Sequence, residues 1–297
     1  MNSSTNNTDW LAERFEEHRT RLRSVAYRML GSLTEADDAV QETWLRLSGS
    51  QTDAIENLGG WLTTVVARVA LNMLRTRRTR HEEPLGVRVP DPIVDRPGEP
   101  DPEHEALLAD SVGLALLVVL ETLSPAERLA FVLHDMFAVP FDDIAPIIDR
   151  SPTAVRQLAS RARRRISGVS IDSDDLQTQR EVADAFMTAA REGDFDALVA
   201  VLDSDVVLRA DAGTTPPALS REVRGAREVA EQALMFRGLN LQMQPALVNG
   251  AAGAVGRLHG RPFSVAGFTV RDGRIAEIDI LADPARISTI DLTSLDD

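Results

Sequence analysis

The chain of 297 residues is longer than one ordinary core organises, which predicts two or three domains, and its 43% hydrophobic content excludes a mostly disordered polypeptide. There is no cysteine, which excludes disulfide frameworks, thiolate metal sites and cysteine nucleophiles and suits a reducing compartment. A net charge of −14 does not exclude nucleic acid, because the distribution of charge decides binding, and all 32 basic residues are arginine, whose planar fork reads phosphates and base edges.

The first residues, Met1 to Asp9, are polar and hold no signal-peptide core, and no apolar run approaches the ~20 residues of a membrane span. A cytoplasmic chain without membrane contact is expected. Leu11, Phe15, Leu22, Val25, Ala26, Met29 and Leu30 recur at the 3- and 4-residue spacing of one buried helical face. Gly31 should stop that helix, with Thr34 as the N-cap of a second helix running to about Leu47. Gly59-Gly60 breaks the chain before a helix over Trp61–Arg80, whose cations Arg68, Arg75, Arg77, Arg78 and Arg80 have no acid among them.

From Glu82 to Glu105 the character reverses: eight acids and six prolines face only Arg88 and Arg96. Such a stretch neither propagates a helix nor builds a core, so 83–107 is expected to be an extended, acidic, proline-rich tether. An apolar helix is then predicted over Ala106–Leu123, another opened by Ser124-Pro125, a third over Phe141–Ile148, a turn at Asp149-Arg150, and a fourth from Ser151-Pro152 to Ile166. After about Asp175 the pattern becomes α+β. Helices over Gln177–Arg191 and Asp196–Leu202 precede a strand at Val206–Asp211, a loop from Gly213 to Ser220 and a helix around Ala226–Arg237. Strands follow at Leu241–Val248, Ala254–His259, Phe263–Val270 and Arg274–Leu281, with a hairpin signal at Asp272-Gly273.

Three surfaces carry the chemistry. In Ser151–Ile166, Val155, Leu158, Ala159, Ala162 and Ile166 share a buried face and Thr153, Arg156, Gln157, Ser160 and Arg164 point outward. A helix ~24 Å long suits a major groove, with Thr153, Arg156 and Gln157 at base edges and Arg161, Arg163, Arg164 and Arg165 on phosphates. The same pattern also fits a solvated basic helix. On Trp61–Arg80 the polar face holds Thr64, Arg68, Asn72, Arg75, Arg78 and Arg80, a mixture that suits bases and phosphates better than the lipid surface a basic amphipathic helix can also bind. Asp37, Asp38, Gln41 and Glu42 form an acidic edge beside Trp44, read either as a solvated face or as a protein-binding one.

The run Asp37-Asp38-Ala39-Val40-Gln41-Glu42-Thr43-Trp44-Leu45-Arg46-Leu47, followed by Trp61-Leu62-Thr63-Thr64-Val65-Val66-Ala67-Arg68, resembles region 2 of bacterial extracytoplasmic-function (ECF) sigma factors. Leu123-Ser124-Pro125-Ala126-Glu127-Arg128, then Phe141-Asp142-Asp143-Ile144-Ala145-Pro146 and Ser151–Leu158, resembles their region 4. The C-terminal part looks like a SnoaL-like domain, a cone of helices and sheet. The resemblance implies a multidomain fold, with two all-α sigma domains and an α+β cone: region 2 at 1–82, the linker at 83–107, region 4 at 108–170 and a regulatory domain at 175–297.

It further implies a transcription initiation factor without enzymatic activity that recruits core RNA polymerase to promoter DNA. Asp37, Asp38, Gln41, Glu42 and Trp44 match positions that bind the β′ clamp helices, region 4 meets the β flap, and the tail contacts and modulates the sigma domains. Asn57, Thr64, Arg68, Asn72, Arg75 and Arg78 fall to the −10 element. Thr153, Arg156, Gln157, Ser160, Arg161, Arg164 and Arg165 fall to the −35 element. Two motifs of the tailed subgroup are matched only loosely, at Asp211-Ala212-Gly213-Thr214-Thr215 and Ala282-Asp283-Pro284-Ala285-Arg286, and Asp149-Arg150 stands where helix-turn-helix proteins often place glycine.

SnoaL-like folds often host enzymes, so Arg209, Asp211, His259 and Asp279 are candidates for a tail pocket that binds a ligand or does acid–base work. No histidine pair has ligand spacing, so no metal and no cofactor is expected. Alternatives of another class are a SnoaL-like enzyme or ligand sensor fused to a DNA-binding region, and a helix-turn-helix regulator independent of polymerase.

Overall fold

The computed structural model describes residues 2–50, 56–79, 87–98, 101–108, 113–167, 174–213 and 220–295; Arg80 and most of the loop after Gly213 lie outside the described residues. Two compact units result, Met1–Glu83 with Val119–Gly168, and Pro84–Val118 with Val169–Asp297.

The first unit is helical. Helix α1 (Asn2–Leu30) ends where Gly31 adopts a φ of 66°, a left-handed value that suits a residue without Cβ. Helix α2 (Leu33–Ser48) is capped by Ser32, whose hydroxyl accepts from the Glu35 N–H, and not by Thr34, which sits inside the first turn. Helix α3 (Leu58–Thr79) follows. Leu22, Val25, Ala26, Met29, Ala39, Leu47, Leu62, Val66 and Leu71 are buried among these three helices, each large aliphatic side chain contributing about 1.5–3 kcal/mol of burial. Helix α4 (Pro102–Leu108) belongs to the second unit and α5 (Leu114–Glu121) runs into the first. The single apolar helix expected over 106–123 is thus replaced by two elements, with the poor helix former Gly113 outside either.

Helix α6 (Pro125–Phe131) opens with a capping box in which Ser124 and Glu127 satisfy each other's backbone N–H. It runs into a five-residue π-helical turn, Val132–Met136. Helices α7 (Phe141–Ile148) and α8 (Pro152–Ile166) form the helix-turn-helix. Asp149 between them holds the left-handed conformation (φ 55°) that glycine commonly supplies.

The second unit is a seven-stranded sheet of order β1-β4-β5-β6-β7-β2-β3. Its strands are β1 (Val94–Asp95), β2 (Leu202–Asp211), β3 (Arg221–Arg224), β4 (Gln242–Val248), β5 (Ala251–Leu258), β6 (Arg261–Arg271) and β7 (Arg274–Leu281). Helices α9 (Leu176–Glu192), α10 (Phe195–Val201) and α11 (Ala226–Met235) pack on one face, and Phe186, Leu198, Val206, Leu208, Val229, Phe268 and Ile278 fill the core between. A short helix, α12 (Pro284–Ile287), follows the last strand and is capped by Asp283. The expected α+β domain is present. The β4–β5, β5–β6 and β6–β7 hairpins each turn on a left-handed pair, Asn249-Gly250, His259-Gly260 and Asp272-Gly273, of which the last carried the hairpin signal in the sequence.

Residues 87–97 differ from the expected free tether. They belong to the second unit, where Val89, Ile93 and Val94 are buried. Strand β1 pairs antiparallel with β4, Val94 opposite Val248 and Asp95 opposite Leu247. The Asn249 side chain accepts from the Ile93 N–H at 3.0 Å, and the Asn249 N–H donates to the Ile93 carbonyl at 2.8 Å. Residues 87–97 cover the open edge of the sheet, and the end of the expected tether, from Pro102, is helical as part of α4.

Candidate nucleic-acid interface

Helix α8 presents the surface its periodicity predicts. Val155, Ala159, Ala162 and Ile166 are buried, while Thr153, Arg156, Gln157, Arg161, Arg164 and Arg165 are exposed and Ser160 is half-buried. Ser151 caps the helix, its hydroxyl accepting from the Ala154 N–H. The arginines are not equivalent. Arg165 donates to the Thr122 carbonyl at 3.3 Å and lies 3.6 Å from Glu127, so part of its charge serves the fold. Burial raises the Glu127 pKa, but the Ser124 hydroxyl and N–H, followed by Arg165 and Arg161, outweigh it and hold the carboxyl below its ordinary value. Arg163 engages Asp135 at 2.6 Å. Arg156 instead stacks on an aromatic ring, its guanidinium carbon 5.1 Å from the Phe141 centroid.

On α3 the second polar face is also present, with Arg68, Asn72, Arg75 and Arg78 exposed and Thr64 half-buried. Asn57 fixes the helix start by accepting from the Gly60 N–H at 2.9 Å, and the Thr64 hydroxyl donates to the Gly60 carbonyl. Arg77 pairs with Glu35 and is withdrawn from that face. Within the first unit these residues meet the helix-turn-helix: Arg68 donates to the Pro146 carbonyl at 3.2 Å. A cavity of about 640 Å³ is lined by Asn57, Gly60 and Thr64 on one side and by Val139, Asp142 and Pro146 on the other.

The acidic edge of α2 is partly committed. Asp37 is held by Arg23 at 2.7 and 3.2 Å, and Glu42 by Arg46 at 3.1 Å, while Asp38 and Gln41 are exposed. Trp44, expected to be exposed, is half-buried against Phe15 at 5.2 Å between ring centroids. The residue that protrudes is its neighbour Leu45, 56% exposed, which periodicity alone would mark as off the buried face.

Of the four tail residues Arg209 and Asp279 meet, while Asp211 and His259 lie elsewhere. Alternation along β2 and β7 sends Leu208 and Ile278 toward the helices and Arg209, Glu277 and Asp279 to the opposite face. There Arg209 binds Glu277 at 2.7 Å and Asp279 at 3.1 Å, with Glu222 at 3.5 Å. Burial pushes the Asp279 carboxyl up to about 7; Arg209 opposes that rise and Glu277 adds to it. Burial tends to lower the Arg209 pKa, but Asp279 and Glu277 more than offset it and raise it. Asp211 belongs to another cluster, accepting from the Val89 N–H at 3.0 Å, the Gly213 N–H at 3.0 Å and Arg286 at 2.8 Å. Arg286 also reaches Asp91 at 2.7 Å and the Val89 carbonyl at 2.6 Å. His259 sits in the β5–β6 turn. Among the described residues no cluster of three or more His, Asp or Glu could hold a metal ion, and no helix is long and apolar enough to cross a membrane.

Residues 14–80 match the Sigma-70 region 2 family and residues 113–166 the Sigma-70 region 4 family. The chain is 38% identical over 288 residues to the ECF RNA polymerase sigma factor SigJ of Mycobacterium tuberculosis, covering 92% of each chain. It is 38% identical over 205 residues to the probable ECF RNA polymerase sigma factor SigI of the same species, covering 69% of this chain and 71% of the relative. The crystal structure of M. tuberculosis SigJ superposes with a TM-score of 0.75 at 35% identity, over 95% of this chain and 99% of the other. With two outward arginine-bearing helices in the order that these families prescribe, the chain belongs to the ECF RNA polymerase sigma factors.

Proposed function

We propose that this sigma factor brings core RNA polymerase to promoters by reading the −35 element with α8 and the −10 element with α3 and the turn before it, while its C-terminal unit sets how far apart the two readers can move. The observation that carries the reading is the exposed, acid-free face of α8, with Thr153, Arg156 and Gln157 at the end that enters a major groove. Arg161 and Arg164 bind phosphates, and Arg165 contributes less because it also holds Glu127 and Thr122. Asp38, Gln41 and Leu45 are the free part of the α2 surface that meets the β′ clamp helices; the β flap is the partner of region 4.

The tail works through the linker. The Asp91–Arg286–Asp211 bridge and the β1–β4 pairing hold residues 87–97 on the second unit. A free tether over 83–107, 25 residues long, would reach ~80–90 Å, whereas one clamped along its middle reaches less. The tail carries no catalysis in this reading, since Arg209, Asp211, His259 and Asp279 are spent on three separate structural tasks.

The test is run-off transcription with core polymerase on promoters changed one base pair at a time. Arg156→Ala should lose discrimination at one −35 position, worth ~1–3 kcal/mol, and Arg68→Ala should lower open-complex yield with the −35 profile intact. An equal loss on every −35 sequence from Arg156→Ala would remove it from the base-reading set.

A further inference from the structure

Arg156 makes no ion pair among the described residues; its interaction there is the stack on Phe141. Phe141 is the first residue of α7, the helix that precedes the recognition helix. His134 stacks on the same ring, with ring centroids 3.7 Å apart and planes 25° from parallel. His134 is fixed in turn, since its Nδ1 lies 3.0 Å from the Val139 carbonyl, where Nδ1–H donates. The backbone that allows this is unusual: a π-helical turn carries His134, Ala138 takes a φ of 55°, and the Val139 N–H closes back on the Leu133 carbonyl at 2.9 Å. A π-turn and a left-handed alanine are costly local choices, of the kind retained where side chains must be placed.

We propose that Phe141, packed against His134, is a positioning residue for −35 recognition: its ring holds the Arg156 guanidinium through a cation–π contact and leaves the N–H donors for a base. This rests on the base-reading role of Arg156 proposed above. A guanidinium held by a cation–π contact keeps its N–H donors out of any ion pair, and those donors are what a bidentate contact with the O6 and N7 of guanine requires. A long arginine side chain held in one orientation also loses less freedom when the base arrives. An acid in place of Phe141 would order the arginine equally well but would use the same N–H fork. An aromatic face orders it without consuming a donor.

The experiment is run-off transcription by holoenzyme formed from the full chain and core polymerase, on a promoter set varied at each −35 position. Phe141→Leu should lower discrimination about 2- to 5-fold at the position read by Arg156, leave the other positions unchanged, and add nothing in the Arg156→Ala background. Phe141→Tyr should keep the parent profile, and His134→Ala should shift it in the direction of Phe141→Leu. A uniform loss across all −35 sequences, or additive effects of Phe141→Leu and Arg156→Ala, overturns the positioning role while the base-reading role of Arg156 survives. No change in profile from Arg156→Ala overturns both. If Phe141→Leu fails to melt as a folded helical protein, the tyrosine and His134 variants decide: loss of discrimination by Phe141→Tyr, or none by His134→Ala, contradicts the proposal.

Discussion

Asp279 is 1% exposed on a strand, beside a single arginine that Glu277 and Glu222 also claim. Its carboxyl ionises near 7 in the folded chain but near its ordinary value once unfolded, so the folded state binds the extra proton between about pH 4 and 7. The stability contributed by this group is therefore full below about pH 4 and is lost as pH rises through 7. Asp279→Asn, which keeps the shape of the protonated acid, should remove that slope. Thermal melts of the parent and the variant should diverge by several degrees across this window, with the variant gaining as pH rises. Parallel curves would mean that Arg209 keeps Asp279 ionised throughout. The face to which Asp279 belongs was legible from the two-residue period of β7. Its grouping with Arg209 was expected and the two meet at 3.1 Å, but their parallel pairing was not legible, because β2 and β7 lie about 70 residues apart in the chain.

Elements with local signals matched best. The serine-proline openings of α6 and α8, the Gly31 stop and the exposed face of α8 each follow from residues within one or two turns, so their chemistry stands in the sequence itself. Ser32 displaced Thr34 as the cap of α2 because the helix begins one residue after Ser32, which leaves Thr34 helical. The linker does not stay a free tether: from Pro102 it is helical, and Val89, Ile93 and Val94 are buried. Its docking depends on Asn249 and Arg286, roughly 150 to 200 residues downstream, which no local pattern announces. Arg286→Ala would remove the ion-pair partner of the nearly buried Asp211 and one of the partners of Asp91, and breaking a buried pair costs about 3–5 kcal/mol. We expect that loss in urea unfolding of the second unit, together with faster proteolysis within residues 87–98. Unchanged stability and cleavage would show that β1–β4 pairing alone holds the segment.

For the whole molecule, the first unit places α3 and the helix-turn-helix around one cavity, whereas −10 and −35 elements on a duplex are separated by more than two turns of ~34–36 Å. With α3 and α8 as the proposed readers, promoter binding is expected to require them to part. Because the chain has no cysteine, His18→Cys with Asp143→Cys provides a single reactive pair across that cavity. Joined by a short bismaleimide, this protein should lose at least about tenfold in promoter-dependent transcription relative to the same protein left unjoined. Full activity of the joined form would mean that promoter and polymerase accept the closed arrangement. A salt titration complements this, since several arginine–phosphate contacts release counterions and make affinity fall steeply with salt.

The promoter expectations rest on the proposed assignment of α8 and α3 as the two readers of a polymerase-bound factor. Run-off transcription with purified chain and core polymerase, on a template bearing a cognate promoter and on the same template with its −35 and −10 elements exchanged for unrelated sequence, tests it most directly. A discrete transcript that needs both the chain and the intact elements is expected; a chain that neither associates with core polymerase nor yields a transcript above the core-only background would overturn the assignment.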